Sequence, residues 1–280
     1  MENNIFHKTR TGTPQGGIIS PLLANIALHG MEEALNIKYE KIKINGKYYY
    51  SSHKSKYIVV RYADDFVVLC KTLEDAQAVY GLLEDYLKER GLTLAPDKTK
   101  ITNLYDGFDF LGYNIRCYKG QDRHKVLVKA SKESVKKFKS EVSEIISNCY
   151  PWNMEKSIIA LNYKINGIGD YWSKGSNKRL FSKMDNYIYE LWMKRLKKLH
   201  PNKSVKWRIN KYFKVSDHES YSWNWTFTDP ITGKQVNRMG WIKIRYSRCV
   251  KYKATPYDSE YEEYLKENRH QDSFQCLYGK

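Results

Sequence analysis

The sequence predicts a mixed α/β (α+β) first part followed by an α-helical, basic domain. Three observations carry this. Short apolar runs bounded by turn residues fill the chain up to about residue 128. Helical periodicity with dense Lys and Arg runs from about Ser131 to Lys214, and long helical periodicity disappears from Val215 onward. A length of 280 residues exceeds what one compact core usually needs and gives about two domains. The expected divisions are 1–128, 129–214 and an aromatic, basic segment 215–280.

The first element is built on "GTPQGGIISPLLANIALHGMEEAL", which opens with turn chemistry, after which Ser20 and Pro21 occupy N-cap and first-turn positions. Leu22, Leu23, Ile26, Ala27 and Met31 then recur at helical spacing, so a loop feeding a helix is expected. "KINGKYYYSSHKSK" carries an Asn45-Gly46 turn signal and predicts a hairpin. Strands are expected over 57–62 and 66–71. Thr72 with Asp75 three residues on has the form of a capping box, and Ala76, Val79, Leu83, Tyr86 and Leu87 supply one apolar helical face that ends at Gly91. Two short strands, Leu92 to Ala95 and Thr99 to Leu104, and a further strand near Val126 precede the helical region.

Composition narrows the function. The 48 Lys and Arg against 31 Asp and Glu leave a net charge of +17 and imply a polyanionic partner. The excess is concentrated between Lys178 and Lys214, where twelve cations meet only Asp185 and Glu190, a local balance of +10. Tyr187, Tyr189, Trp192, Trp207, Tyr212 and Phe213 are interleaved with them. Cations that neutralise phosphates beside aromatics that stack on bases fit an RNA surface; a solvated helical face over core aromatics is the competing reading. The chain has no apolar run of the length a membrane span requires, and "MENNIFHKTRTGTPQGG" has no signal-peptide core. Cys70, Cys117, Cys149, Cys249 and Cys276 are scattered without a CxxC pair, so a reducing, cytoplasmic location is expected.

The run "IVVRYADDFVVLC", residues 58–70, sets Asp64 and Asp65 side by side between two apolar stretches. In a continuous strand these carboxylates would point to opposite faces, so they reach one site only if the chain turns there. The apolar flanks favour that hairpin. Adjacent negative charges repel, and magnesium, which takes oxygen ligands and bridges substrate phosphates, is the cation that would relieve them. An ordinary Asp-rich turn is the alternative.

"RYADDFVVLC" resembles the YxDD segment of reverse transcriptases, and its neighbours resemble the group II intron-encoded reverse transcriptases and maturases. "TGTPQGGIISPLLANIALHGME" is similar to that family's PQG block, "LKERGLTLAPDKTKI" to the block after the hairpin, and "FDFLGYNI" to the primer-contacting strand. "INGIGDYW", "LWMKRLKKLHPNKSVKWRINKYF" and "WIKIRYSRCVKYKATPYDSEYEEYL" resemble the thumb or maturase region and the segment C-terminal to it. The resemblance implies a right-hand polymerase palm with a YADD hairpin, joined to an α-helical thumb or maturase domain.

It also implies roles. Asp64 would ligate catalytic Mg2+, with Asp65 adding charge, for attack of a primer hydroxyl on an incoming deoxynucleotide. Tyr62 and Ala63 would border the nucleotide and primer end, and Gln15, Gly16 and Gly17 would let the backbone approach nucleotide or template. Lys98 would neutralise or protonate the pyrophosphate leaving group. Phe110, Leu111, Gly112 and Tyr113 would form a primer grip, or equally a buried strand with a close backbone crossing at Gly112. Lys194, Arg195, Lys197, Lys198, Lys203, Lys206, Arg208, Lys211 and Lys214 would contact intron RNA, with Trp207 and Tyr212 anchoring the thumb. Implied partners are group II intron RNA, an RNA template, a DNA primer and deoxynucleotides.

Two departures shape the expectation. The family's third metal-binding carboxylate comes from a strand upstream of the PQG block, and this sequence opens just before that block, with Glu2 the one acid preceding it. The expectation is a chain lacking the fingers and first palm blocks, inactive alone as an RNA-directed DNA polymerase and served by a separate fingers/palm fragment. The alternative is an RNA-binding maturase remnant without polymerase activity. At the other end, "FQCLYGK" offers Cys276 no partner cysteine, so no zinc site is expected.

Overall fold

A computed structural model describes residues 18–44, 47–51, 55–120, 123–216, 225–245 and 259–263. They form a mixed α/β structure of small sheets and several helices, packed as two compact units, one within residues 18–101 and the other from residue 102 onward.

The first unit begins with α1 (Ser20–Ala27) and α2 (Met31–Ala34). Ile19, not Ser20, is the N-cap of α1, which places Pro21 in the first turn. The apolar spacing from Leu22 to Met31 predicted one helix, yet Gly30 takes φ of 88° and divides it. This break separates two environments: Leu22, Leu23 and Ile26 on α1 are exposed, whereas Met31 is buried. The strands β1 (Glu40–Ile44) and β2 (Lys47–Ser51) pair antiparallel, with Ile44 opposite Lys47. The Asn45-Gly46 signal between them lies outside the described residues.

Next come β3 (Ile58–Tyr62) and β4 (Asp65–Leu69), an antiparallel hairpin in which Val59 faces Val68 and Arg61 faces Phe66. Val59, Phe66 and Val68 pack on the core, while Ile58, Val60 and Leu69 on the opposite face are exposed. The helix α3 (Leu73–Lys88) closes the unit by burying Val79, Leu83, Tyr86 and Leu87 against Leu28, Met31, Leu35 and Ile37. Thr72 Oγ1 accepts the Asp75 N–H at 3.2 Å, as the cap predicts. The Asp75 carboxylate, however, pairs with Lys56 Nζ at 2.7 Å, and that partner holds its pKa below the usual carboxylate value.

The strands expected at 92–95 and 99–104 do not form. Pro96 has no N–H to contribute to a ladder, and Ala95 O accepts from both Lys98 N and Thr99 N, which closes a turn in the middle of the stretch.

In the second unit β5 (Phe108–Phe110), β6 (Tyr113–Tyr118) and β7 (Lys125–Ala130) form an antiparallel sheet in that order. Four helices come after it: α4 (Lys132–Ser147), α5 (Met154–Trp172), α6 (Lys178–Leu199) and α7 (Val205–Tyr212). Ser131 and Ser204 cap α4 and α7 by accepting from Ser134 N and Trp207 N. Phe138, Ile158, Leu161, Trp172, Phe181 and Trp192 fill the core between the helices. The sheet is tied to the helices by Asn177, which is 1% exposed. Its Oδ1 accepts from Ala130 N and its Nδ2 donates to Trp172 O, both at 2.9 Å. The packing therefore divides after Ile101, ahead of the change in sequence character near residue 128, because β5–β7 fold onto the helices.

The strands β8 (Phe213–Val215) and β9 (Trp225–Phe227) pair antiparallel, and the chain from Thr228 to Arg245 returns over α5 and α6. Asn162 Nδ2 donates to Gln235 O at 2.8 Å and its Oδ1 accepts from Asn237 N at 2.8 Å. Asp185 accepts from Met239 N at 2.7 Å and Gly240 N at 3.0 Å, with Arg238 Nε at 3.6 Å. Burial pushes the Asp185 carboxyl above its ordinary value, while these donors pull it back. Replacing Asp185 with Ala leaves the buried Met239 N–H and the half-buried Gly240 N–H unpaired and should cost about 1–3 kcal/mol. A denaturant midpoint for Asp185→Ala equal to that of the parent chain would show that this strap is not held through Asp185.

Candidate catalytic hairpin and nucleic-acid interface

The two carboxylates sit where the hairpin reverses. β3 ends at Tyr62, Ala63 and Asp64 make the turn, and Asp65 opens β4 directly opposite Tyr62. Asp65 therefore shares the outer face of the hairpin with Tyr62, while Asp64 projects from the turn itself. Tyr62, Ala63, Asp64 and Asp65 are all exposed. Ala63 takes φ of 54°, a left-handed conformation costing a non-glycine residue roughly 1 kcal/mol. Arg61 compensates: its Nη1 donates to Ala63 O at 2.9 Å and to Asn25 Oδ1 of α1 at 3.0 Å. Sequence reasoning missed Arg61, which in the sequence is one more cation beside an aromatic.

As donors, two exposed carboxylates on a pinned turn fit magnesium in kind, because that ion favours oxygen ligands and retains several waters. Among the described residues no group of three His, Cys, Asp or Glu is placed to hold a metal together. Asp64 and Asp65 would hold the ion, which when bound acts as a Lewis acid on phosphate oxygens.

The other predicted site residues fall in separate places. Lys98 is exposed in the turn after Ala95. Gln15, Gly16 and Gly17 lie outside the described residues. Leu111 and Gly112 form the tight turn between β5 and β6, with φ of 48° and 72°. The glycine is needed for that φ and not for the close backbone crossing considered from the sequence: a Cβ there would meet only Ser134 Oγ and Tyr171 Cε1, each at 3.9 Å. Tyr171 of α5 clamps this turn. Its hydroxyl donates to Leu111 O at 2.6 Å, and Tyr113 donates back to Tyr171 O. Burial raises the Tyr113 phenol to about 12. Phe110 is half-buried on β5.

The cations of α6 and α7 divide by direction. Lys194, Lys197 and Lys198 are exposed, and with Arg195, Ser143 and Ser147 they line a groove of about 640 Å³ between α4 and α6. Arg195 is turned partly inward: its Nε donates to Cys149 O at 2.7 Å, and its guanidinium lies 4.3 Å over the Tyr150 ring. Arg208 is buried, with Nε and Nη2 both donating to Lys203 O, so it closes the turn before α7 and offers no exposed face for RNA. Lys203, Lys206, Lys211 and Lys214 are exposed. Lys214 Nζ caps Asn210 O at 2.7 Å, and Lys211 lies 4.9 Å over Trp207. Tyr212 is buried and receives or gives a hydrogen bond with His200 Nε2 at 2.7 Å, and Trp207 is half-buried with its ring edge-on to His200, so both anchor the helix end. Among the described residues, no helix is long and apolar enough to cross a membrane.

Comparison with known proteins gives the same order of parts. Residues 1–115 match the family described as reverse transcriptase (RNA-dependent DNA polymerase), and residues 135–213 match the group II intron, maturase-specific domain. The chain is 35% identical over 136 residues to protein YkfC of Escherichia coli, an alignment taking in 41% of this chain and 35% of that protein. It is 30% identical over 164 residues to the group II intron-encoded protein LtrA of Lactococcus lactis, covering 41% of this chain and 27% of the relative. A putative COX1/OXI3 intron 2 protein of Saccharomyces cerevisiae is 25% identical over 170 residues, covering 46% and 20%. The chain thus spans about a third or less of the length of these relatives. The two matches, in this order, define a protein of the reverse transcriptase class that carries a maturase-specific domain. Its two matched domains are those of the group II intron-encoded reverse transcriptase/maturase family, of which the chain represents a part.

Proposed function

We propose that this chain works in RNA-directed DNA synthesis and in binding group II intron RNA for splicing and mobility. The observation that carries the reading is the order of two matched domains in one chain, an exposed carboxylate pair in the first and a cation-lined groove in the second. In this reading residues 1–128 supply the palm, and residues 129–214 the thumb or maturase domain. Asp64 and Asp65 hold Mg2+, Tyr62 and Ala63 border the nucleotide, and Gln15, Gly16 and Gly17 approach the template. Lys98 serves the leaving group, and the turn at Leu111 and Gly112, with Phe110 and Tyr113, grips the primer. RNA is met by the exposed lysines, with Arg195 and Arg208 supporting them from beneath. The scattered thiols fit a cytoplasmic setting.

Magnesium should bind this chain weakly, in the millimolar range, because two carboxylates without further protein ligands leave most of the shell to water. Calorimetric titration should show heat that Asp64→Asn with Asp65→Asn removes, and identical heats in parent and variant would exclude the site. The resemblance implies three carboxylates around two ions, and among the described residues no third such ligand joins Asp64 and Asp65, so this 280-residue chain alone should extend no primer on an RNA template above background. A fragment supplying fingers and the first palm carboxylate should restore extension, and Asp64→Ala should abolish it again. Extension by the chain alone that vanishes in Asp64→Ala would refute the need for that fragment.

A third expected outcome concerns RNA. Affinity for structured intron RNA should fall steeply with salt, since bound phosphates release counterions. Lys194→Ala, Lys197→Ala and Lys198→Ala combined should weaken binding and flatten the log-log slope by up to about 2 units, with Arg195 retained to keep the fold. An unchanged slope in the folded triple variant would move the RNA surface elsewhere.

A further inference from the structure

The turn between α4 and α5 carries a stack of rings that the protein's own core does not use. Asn153 fixes the turn: its Oδ1 accepts from Tyr150 N at 2.6 Å, and its Nδ2 donates to Asn148 O at 3.1 Å. The hydrogen bond from Arg195 Nε to Cys149 O fastens the same turn to α6. On this base the Arg195 guanidinium lies 4.3 Å from the centre of the Tyr150 ring, and the Trp152 ring stacks on Tyr150 at 4.6 Å with 8° between planes. Tyr150 thus contacts both the Arg195 guanidinium and the Trp152 indole, and Trp152 is the most exposed member of the group. Trp152 is 80% exposed, and its free face ends the stack in solvent.

Leaving so large a ring bare is unfavourable in water unless something else covers it. The neighbouring surface indicates what. Arg195 also lines the groove with Lys194, Lys197 and Lys198, so the stack and the cations belong to one surface. A chain with net charge of +17 repels a second copy of itself there, whereas a polyanion bearing flat rings satisfies both features. A nucleic-acid strand is that partner, and away from a helix end a base offers its face only where it is unpaired, because inside a duplex both faces are already stacked.

We propose that Trp152 is a stacking platform for one unpaired base of the bound RNA, the flanking phosphates running along the groove of Lys194, Lys197 and Lys198. The platform is pre-organised, since hydrogen bonds at Asn153 and Arg195 hold the rings before the base arrives. It is tolerant of base identity, because every base presents a π-face. Trp152 therefore selects single-stranded or bulged segments, and the lysines supply charge without that selection. The proposal rests on the RNA-binding reading given above but differs from it in what fails when it is wrong.

The test compares an RNA helix interrupted by one unpaired 2-aminopurine with a fully paired duplex of equal length. The parent chain should quench the 2-aminopurine on binding and prefer the interrupted RNA. Trp152→Ala should lose the quenching and weaken binding to the interrupted RNA about 5- to 100-fold, leave duplex affinity unchanged and keep the salt slope. Trp152→Phe, which retains a smaller ring, should recover part of both signals. The exposed position makes either variant neutral to folding, which circular dichroism checks. Equal loss for both RNAs in Trp152→Ala, or no loss for either, overturns the platform. If the triple lysine variant flattens the salt slope while Trp152→Ala changes nothing, the RNA surface stands and the stacking falls. If the parent chain binds neither RNA, both fall.

Discussion

Much of the second unit depends on one buried amide. Asn177 accepts from the backbone of β7 through Oδ1 and donates to the end of α5 through Nδ2, at the point where α6 begins. Both halves of its side chain are used, and at 1% exposure no water could replace either bond. The turn that delivers it must run close to the sheet. Ser176 N donates to Val128 O at 2.7 Å, and a Cβ on Gly175 would lie 2.6 Å from that same carbonyl, so only glycine fits there. Sheet and helices are thereby joined into one packed unit. The Leu111–Gly112 turn belongs to that unit as well, held on α5 by Tyr171, while the Asp64–Asp65 hairpin belongs to the other.

How far the sequence disclosed this varies with the physics of each element. The α3 helix was legible because its signals are local: a Thr72 cap, apolar residues at helical spacing and Gly91 at its end all act within a few turns. The hairpin was legible for a different reason, since two adjacent carboxylates between apolar strands make sense only at a reversal. Periodicity reports that a face is apolar but not what covers it. Leu22, Leu23 and Ile26 satisfied the helical pattern, yet they are exposed in this structure. The strands expected at 92–95 and 99–104 failed because strand formation needs a partner ladder, and apolar composition alone does not supply one. The return of residues 228–245 over α5 and α6 was hidden because it rests on Asn162 and Asp185, whose partners lie more than fifty residues away.

Charge is the clearest case of sequence information that needs direction added to it. The stretch 178–214 carries a balance of +10, but a sum does not separate cations facing solvent from cations serving the backbone. Arg195 and Arg208 bond to the carbonyls of Cys149 and Lys203, and Lys178 Nζ donates to Gly240 O at 2.6 Å. Guanidinium suits this work: its planar fork meets carbonyl oxygens with little further loss of freedom, and it is less strongly hydrated than an ammonium. Lysine keeps its charge extended on a flexible stem, and Lys194, Lys197, Lys198, Lys203 and Lys206 remain exposed.

If the surface binds RNA as proposed, this division sets how the two would meet. Counterion release counts only phosphates that are neutralised, so the cations that matter are the exposed lysines and not the full local excess. Lysine ammonium groups attract phosphate as point charges without the bidentate geometry of arginine, and a surface built from them reads charge more than shape. Discrimination between RNAs must then come from elsewhere on the same surface. The Arg195 guanidinium with the Tyr150 and Trp152 rings would be suited to supply it, because stacking depends on an accessible base face and is indifferent to the phosphate charge that every RNA shares.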